Sequence, residues 1–374
     1  MAGAAIVAFD AVSAAPAAAA HFAGSPALEW AAAATPAAAA GDMLATWPLW
    51  ILPSASELRP AAPSAPTEQE IAAVVAAQTN VGDAAKTSIA KWGRGPAVIP
   101  WPATMQDLFV ELGVGGFRGA HDNALVHAAM HDAAIAAWDA QVAYARPGLS
   151  AASDKVTPAS GVDPKQSSYP SEHATVAAAA ATMMAHLFPT ATAGRFDALA
   201  MDAATSRLAA GAAFQSDIDA GLALGKAVAD KAIARAKTDG SDAKFDPKDI
   251  PSGPERWKPA PPKLAPVPVE PLGGSWKAWL LERNDEFRPG PPPVYGSARF
   301  KAEVGQVRET VANRTLAEEA ESAYNQRTAL LPPLAFELIR MHALDLPHAA
   351  RVLAYLNVAA ADSAIAVWDA KYTW

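Results

Sequence analysis

Apolar residues fall mostly in long alanine-rich runs with few charges, a pattern typical of helices that are buried on several sides. Between residues 121 and 145 such a run contains Val126, Ile135 and Trp138. Further helices are predicted over residues 174–188, 194–213 and 216–237. No segment shows the alternating pattern of a half-buried strand. The sequence therefore predicts an all-α protein built around a four-helix bundle.

Proline separates these helical segments. Prolines are frequent between residues 247 and 295, in the stretches PSGPERWKPAPPKLAPVPVEP and RPGPPPVYG. Proline removes a backbone donor and favours extended conformations, so this segment is predicted to be a connector that wraps the surface. Trp257, Trp276 and Trp279 are expected to pin it to the bundle, because large aromatic side chains mostly serve burial.

The chain repeats itself at long range. WPLWILPSASELRPAAP, which begins at Trp47, matches WKAWLLERNDEFRPGPP, which begins at Trp276, and five Trp, Arg and Pro positions keep a constant offset of 229. DAAIAAWDAQ, from Asp132, matches DSAIAVWDAK, from Asp362, at an offset of 230. Such a register over some 90 residues predicts an internal duplication in which the second copy is truncated.

This repeat and the proline content give a predicted division of the chain. Residues 1–29 form an Ala/Pro-rich N-terminal segment, and residues 30–246 form a first helical-bundle unit. Residues 247–295 are the connector, and residues 296–374 are the helical start of the truncated second unit.

Composition excludes several classes of function. The 374 residues contain no cysteine, which excludes disulfides, thiolate metal sites and cysteine nucleophiles. Thirty basic against 38 acidic residues give a net charge of −8 with no basic run, so nucleic acid is not expected as a partner.

No transmembrane segment is predicted. The most apolar uncharged stretch, residues 174–188, is mostly alanine and stops at Pro189, short of the ~20 strongly apolar residues that a bilayer requires. The first 22 residues are apolar but lack the basic region of a secretory signal and carry Asp10. The compartment is therefore open, and only analogy with soluble relatives favours a periplasmic or secreted location.

Two short stretches carry candidate chemistry. YPSEH places Ser171 at the start of the 174–188 helix, where free N–H groups and the helix dipole attract negative charge. His173 follows and could donate a proton to a departing oxygen. SRLAAGAAFQSD places Arg207, whose planar guanidinium grips two oxygens of a tetrahedral anion, on a neighbouring helix. Together these residues predict a pocket for a phosphate-like ion.

The order of these motifs resembles the type 2 phosphatidic acid phosphatase superfamily, which includes bacterial acid phosphatases and vanadium-dependent haloperoxidases. The family pattern is P-S-x-H followed by S-R-x5-H-x3-D, and this chain matches its P-S-x-H, its Ser-Arg pair and its aspartate, with WDAQ and an Arg-Pro pair ahead of them. The likeness is strongest to duplicated bacterial haloperoxidase-like proteins and runs from about Trp30 onward. The resemblance implies the superfamily's helical bundle, a site for vanadate or phosphate, and no other cofactor.

The resemblance also shows departures from the superfamily pattern. The histidine that attacks phosphorus or ligates vanadium corresponds to Ala213, and the aspartate that orients it corresponds to Asp217. The lysine of the first motif corresponds to Gln141, and Arg146 lies five rather than seven residues beyond it. Glu172 replaces the small residue of P-S-G-H, where a carboxylate would repel an anion.

These departures predict a degenerate site. If the site is active, the resemblance implies phosphomonoester hydrolysis or vanadate-dependent halide oxidation; the alternative is a non-catalytic helical module with a structural or partner-binding role. The second copy restores the family lysine as Lys371, so a partner chain or a homo-oligomer is predicted to complete the second bundle. The candidate catalytic residues are His173 and Asp217, and the candidate oxyanion-binding residues are Ser171, Arg207, Arg146 and Lys371.

One further pair of side chains has a metal-like spacing. His127 and His131 are four residues apart on one predicted helix face, but no HExxH glutamate accompanies them. The second copy has Asn357 and Ala361 at the matching positions. Packing is therefore the preferred interpretation, and no metal site is predicted.

Overall fold

The computed structural model describes residues 44, 46–79, 81–163, 166–191, 194–259, 267–325 and 331–374. Within these ranges the chain contains helices, turns and loops but no strand, which confirms the predicted all-α class. The α-helices, in chain order, are α1 (Glu68–Thr79), α2 (Asp83–Trp92), α3 (Trp101–Leu112), α4 (Gly116–Tyr144), α5 (Leu149–Ala152), α6 (Glu172–Leu187), α7 (Arg195–Ala209), α8 (Gln215–Ala236), α9 (Ala298–Asn313), α10 (Leu316–Asn325), α11 (Leu331–Met341) and α12 (Leu346–Thr373).

Helix α4 occupies the centre of the molecule. It packs against α6, α8 and α12, and most of its side chains are buried. α7 lies against α6 and is in turn covered by α1 and α2. The four helices predicted from the sequence thus correspond to α4, α6, α7 and α8. The predicted end of α7 at residue 213 is four residues too late, because the chain turns at Gly211 with a left-handed φ of 68°.

Two glycines set the close contact between α6 and α8. A Cβ atom on Gly221 would lie 2.6 Å from the Ser171 carbonyl oxygen, and one on Gly225 would lie 2.0 Å from that of Thr175. Both positions face the alanine-rich side of α6. The helices therefore approach at a distance that only glycine permits.

Gly225→Ala is expected to lower the free energy of unfolding by at least ~1–3 kcal/mol, because the added methyl group must push two backbones apart. This loss of stability outweighs the gain of ~1 kcal/mol that replacing glycine by alanine normally brings in a helix interior. Gly305→Ala is the matched control, since the space around Gly305 in α9 is open, and it should be stabilising. Urea unfolding followed by tryptophan fluorescence measures both; a neutral Gly225→Ala would contradict this account.

The same backbone clamp occurs twice. Asp132 on α4 accepts hydrogen bonds from the backbone N–H groups of Trp50, Ile51 and Leu52, at 3.1, 2.7 and 2.9 Å. Asp362 on α12 accepts from the corresponding groups of residues 279, 280 and 281, at 2.8, 2.7 and 3.3 Å. At both places a buried carboxylate thus holds the extended chain that carries the Trp-x-x-Trp motif.

A bidentate ion pair follows each clamp. Arg59 binds Asp139 at 2.7 and 2.9 Å, and Arg288 binds Asp369 at 2.6 and 2.7 Å. Both pairs join the Arg-Pro end of the repeated motif to the long helix of the same copy. The internal duplication itself stays a prediction, but equivalent contacts at equivalent positions are what it requires.

Each of the two repeated Trp-x-x-Trp motifs places its first tryptophan on the long helix that follows the other motif. Trp47 packs on His348 and Arg351, while Trp276 packs on Arg118 and His121. These two contact sets are related by the repeat offset. Trp50 and Trp279 meet edge to face between them, with ring centroids 6.0 Å apart. The arrangement resembles the interface of a two-fold symmetric dimer within one chain.

The predicted division into units is not tested by these contacts and stays a prediction, and residues 1–29 lie outside the described residues. In the predicted connector, only short 3₁₀ turns occur among the residues described, and Trp276 is fully buried. One described helix, α12, is long and apolar enough to cross a membrane by length and composition alone. Core helices of soluble proteins have the same composition, and α12 packs along α4.

Candidate functional site

Ser171 begins helix α6. Its hydroxyl accepts a hydrogen bond from the Ala174 N–H group at 3.4 Å, so it acts as the N-cap. Its own N–H group donates to the Asp217 carbonyl oxygen at 2.9 Å, and its carbonyl oxygen accepts from Thr175. Ser171 is buried and bound on all sides by the α6 and α8 backbones. The predicted oxyanion-binding hydroxyl is thus engaged in capping α6, while the Ser171 backbone N–H group joins α6 to α8.

Glu172, His173 and Arg207 form an electrostatically linked group at the start of α6. Burial, with a smaller contribution from nearby Asp345, raises the pKa of Glu172 to about 7, against the opposing effects of Gln166 and Arg207. The Gln166 amide donates to the Glu172 carboxylate at 2.8 Å. The structure therefore places a carboxyl group with a near-neutral pKa at the position of the family's small residue.

The predicted proton donor is neutral. Burial lowers the pKa of His173 well below its ordinary value, and the positive charge of Arg207 lowers it further. The His173 Nδ1 atom lies 3.7 Å from the Glu172 carboxylate, too far for a strong hydrogen bond. At neutral pH the imidazole therefore has no extra proton to give to a leaving group.

Arg207 extends from α7 into a cleft of about 640 Å³ between α1, α2 and the loop of residues 155–162. Its guanidinium donates to the Ser206 hydroxyl at 3.0 Å and to the Ile89 carbonyl oxygen at 3.2 Å, which are both neutral acceptors. Burial lowers its pKa to about 10, so it stays charged at neutral pH. Lys86 and Lys155 also line the cleft, and no acidic residue is among its described lining residues. The cleft therefore carries net positive charge.

Arg146 and Asp217 form a buried ion pair on the other side of α6. Arg146 donates to the Asp217 carboxylate at 2.6 Å and to the Ser216 hydroxyl at 3.0 Å. The second carboxylate oxygen of Asp217 accepts from the Phe214 N–H group at 2.7 Å, which caps helix α8. Burial raises the pKa of Asp217 to about 6 against the pull of Arg146. The carboxylate predicted to orient a histidine is thus occupied by an arginine and a helix N-terminus.

Ala213 and Gln141, at the positions where the resemblance predicts the family's histidine and lysine, are held by contacts within the fold. The Ala213 side chain is buried in a cluster with Ala174, Ala204 and Ile218. The Gln141 amide donates to the Pro170 carbonyl oxygen at 3.0 Å, which ties α4 to the loop before α6. Neither residue lines the cleft that Arg207 enters.

Lys371 lies at the end of α12 among aromatic rings. Its ammonium group is 4.7 Å from the Trp368 ring centroid and 5.8 Å from that of Tyr372. Burial of its stem lowers its pKa. It does not line the Arg207 cleft. Of the six predicted site residues, the structure brings Ser171, His173 and Arg207 around the start of α6 and pairs Arg146 with Asp217, while Lys371 is separate.

The two histidines with metal-like spacing lie on α4, and both side chains are buried. His127 Nδ1 bonds the Asn123 carbonyl oxygen at 2.8 Å, and His131 Nδ1 lies 2.9 Å from Asp132. No group of three or more potential metal ligands occurs among the described residues. Asn357 bonds Leu353 as His127 bonds Asn123, so the contact is structural in both copies.

Sequence reasoning missed three contributors to this region: Lys86, Lys155 and Gln166. The lysines lie outside every family motif, on α2 and on an irregular loop, and only the fold brings them to Arg207. Only Gln166 could have been found from the sequence. It is a neutral hydrogen-bond donor that lies six residues before Glu172, close enough along the chain to reach its carboxylate.

The fold and these motifs agree with the comparison to known families. The family model of the PAP2 superfamily matches residues 135–234, which include the end of α4, all of α6 and α7, and all but the last two residues of α8. The resemblance predicted from the sequence is thereby confirmed: this segment of the chain is similar to the PAP2 superfamily. The matched span contains Ser171, Arg207 and Asp217 as well as the substituted position Ala213.

Among solved structures, a bacterial vanadium-dependent iodoperoxidase is similar, with 17% sequence identity and a TM-score of 0.44. The match covers 51% of this chain and 56% of that enzyme's chain, so it spans little more than half of the enzyme. At this TM-score the likeness adds nothing to the all-α fold already described. No curated protein matches the chain.

The raised pKa of Glu172 makes a prediction about stability. Its ordinary pKa is 4.5 and its pKa in the folded protein is about 7. A raised acid pKa penalises the folded state as pH rises from 4.5 through 7, and the full penalty remains above that pH. Glu172→Gln is therefore expected to raise the free energy of unfolding by roughly 1–3 kcal/mol at pH 8 and to change it little at pH 4. Urea unfolding at the two pH values checks this; equal effects at both would show that the carboxyl group titrates normally.

Proposed function

We propose that this chain is a non-catalytic PAP2-type protein that retains a site for a tetrahedral oxyanion. The observation that carries the proposal is the placement of Arg207. Its guanidinium is buried and charged, its hydrogen bonds among the described residues go to neutral acceptors, and it forms part of the wall of a cleft with two lysines. Buried charges are normally paired, so the cleft has the electrostatics of an anion site.

The nearest anionic group does not remove this preference. Glu172 raises the pKa of Arg207 and so interacts with it, but the carboxyl group has a pKa of about 7. At and below neutral pH much of Glu172 is protonated and its repulsion of a bound anion is reduced. Oxyanion binding should therefore be tighter at pH 6 than at pH 8, although phosphate carries less charge at the lower pH.

Catalysis of either family type is not supported by the residues present. A phosphohistidine intermediate requires an imidazole nitrogen at residue 213, and the alanine methyl group there has no lone pair. Vanadate ligated through that nitrogen does not fit for the same reason. The remaining candidates are not available for catalysis either. His173 is neutral and has no extra proton to donate, and the Asp217 carboxylate is paired with Arg146. Binding of the oxyanion by charge and hydrogen bonds is what these residues support.

Binding is tested by titrating the chain with inorganic phosphate and with vanadate in a calorimeter. The expected dissociation constants are on the order of millimolar, as for a few charge-assisted contacts at an open site. Arg207→Gln should weaken binding about tenfold or more, the equivalent of one charged hydrogen bond. Arg195→Gln is the control, because Arg195 lies on the same helix but pairs with Glu111 elsewhere. Equal affinity of the wild type and Arg207→Gln would reject the proposal.

Restoring the missing nucleophile is expected to fail. Ala213→His places an imidazole where the methyl group already packs against Ala174, Ala204 and Ile218, so a stability loss of ~1–3 kcal/mol is expected. Nitrophenyl phosphate hydrolysis should remain at the buffer background. The wild type is expected at the same background, unaffected by His173→Ala. Hydrolysis by the wild type that His173→Ala abolishes would instead establish an active phosphatase.

A further inference from the structure

The long helices α4 and α12 occupy matched positions in the two copies but differ in how they are covered. The face of α4 that carries Leu125, Ala129, Ala133 and Ala137 is fully buried. Its residues belong to clusters with Ala177, Ala179 and Leu224 of helices α6 and α8 and with their neighbours. In the first copy, therefore, two alanine-rich helices cover this face.

The matching face of α12 is exposed. It carries Tyr355, Ala359, Ser363 and Val367, which follow one another at helical four-residue steps and are all exposed. Tyr355 is 37% exposed and Val367 55%, against 0% for their counterparts Leu125 and Ala137. None of these side chains carries a charge. We call this set of four residues the α12 face.

The shorter helices of the second copy are uncovered as well. In the first copy α1 and α2 pack on α7 and bury Val74 and Trp92. In the second copy α9 and α10 occupy the corresponding chain positions, and α9 has no buried residue. Val307 on α9 is 62% exposed. What is exposed in the second copy thus corresponds to what α6, α7 and α8 cover in the first.

We propose that the α12 face is a docking surface for a partner chain that presents a pair of alanine-rich helices of the α6 and α8 kind. The internal comparison argues for this occupant. Helix α6 has no charged residue between Ala174 and Met184, and its small side chains allow close approach. The α12 face is equally uncharged and offers small residues at Ala359 and Ser363. The clamp on Asp362 fixes the face in the same register as α4, whose clamp is on Asp132.

The probe for this surface is residues 145–240 of the chain itself, which contain α6, α7 and α8. In one arm a tagged 145–240 segment is co-expressed with the full chain and captured. In the second arm the same segment is joined directly after Trp374, which stands 230 positions after Tyr144, so that the spacing of the first copy is reproduced. The second arm does not depend on the segment being stable when separate.

The readout is amide hydrogen exchange along α12. In the joined protein, and in the captured complex, exchange around residues 355–367 is expected to slow at least tenfold relative to the full chain alone. Val367→Asp should abolish both the slowing and the capture, because it places an unpaired charge within the contact. Val142→Asp is the control, since Val142 is an exposed valine at the end of α4, and it should leave both unchanged.

Three results would overturn the proposal. The first is unchanged exchange in the joined protein. The second is self-association of the full chain, seen by light scattering, that Val367→Asp abolishes; the face would then bind a second copy. The third is flotation of the full chain with phosphatidylcholine and phosphatidylglycerol vesicles that Val367→Asp prevents, since the face would then bind lipid.

Discussion

Replacing Asp132 by alanine is expected to lower the free energy of unfolding by about 3–5 kcal/mol. The substitution leaves the N–H groups of Trp50, Ile51 and Leu52 without an acceptor in a buried or half-buried place. Each buried donor left unpaired costs about 1–3 kcal/mol, and the total is smaller than the sum because the segment can relax toward water. The loss also removes the contact of the carboxylate with His131.

Urea unfolding followed by tryptophan fluorescence measures this loss, and hydrogen exchange locates it. Asp107→Ala is the control, because Asp107 is an exposed residue of α3 and its removal should change stability by less than ~0.5 kcal/mol. Asp362→Ala should release residues 279–281 in the same way. A loss below 1 kcal/mol at Asp132 would show that water replaces the carboxylate and that the clamp does not hold the motif.

Removing Arg146 is expected to have an effect of similar size. Arg146→Met keeps much of the packing against the Phe214 ring, whose centroid lies 5.0 Å from the guanidinium carbon, but it leaves the Asp217 carboxylate buried without its cation. Breaking a buried pair on one side costs about 3–5 kcal/mol. The pKa of Asp217, already raised to about 6 by burial, should rise further.

The pH dependence distinguishes this cause from lost packing. The ordinary pKa of the aspartate is 3.8, so a higher folded pKa makes the deficit grow as pH rises above that value. Arg146→Met should therefore be more destabilising at pH 8 than at pH 5. Arg146→Met combined with Asp217→Asn should recover part of the loss, since the uncompensated charge is gone. Equal deficits at both pH values, with no recovery in the double variant, would assign the effect to packing.

The ion pair also explains why the site could be predicted only in part. The motif spacing assigned Ser171, Arg207 and Asp217 to one family pattern, and all three lie in the segment that the family model matches. Their partners were not visible in the sequence. Arg146 is 71 residues from Asp217, and Lys86 and Lys155 belong to no motif. Which cation meets which carboxylate depends on how α4, α6 and α8 pack, which no local pattern encodes.

By itself the sequence determined the helical class. Its apolar residues lie in alanine-rich runs bounded by proline and glycine, and no segment shows the two-residue alternation of a strand. It also determined that residue 213 is an alanine with no side-chain lone pair, which is the basis of the proposal that the chain is non-catalytic. Only the tertiary structure decided what the other polar groups contact. Ser171 caps a helix, Asp217 pairs with Arg146, and Arg207 lines a basic cleft. It also decided that α4 is covered where α12 is exposed. The physical reason is that burial and pairing depend on which distant elements meet, whereas helix formation and chemical capacity depend on the residues themselves.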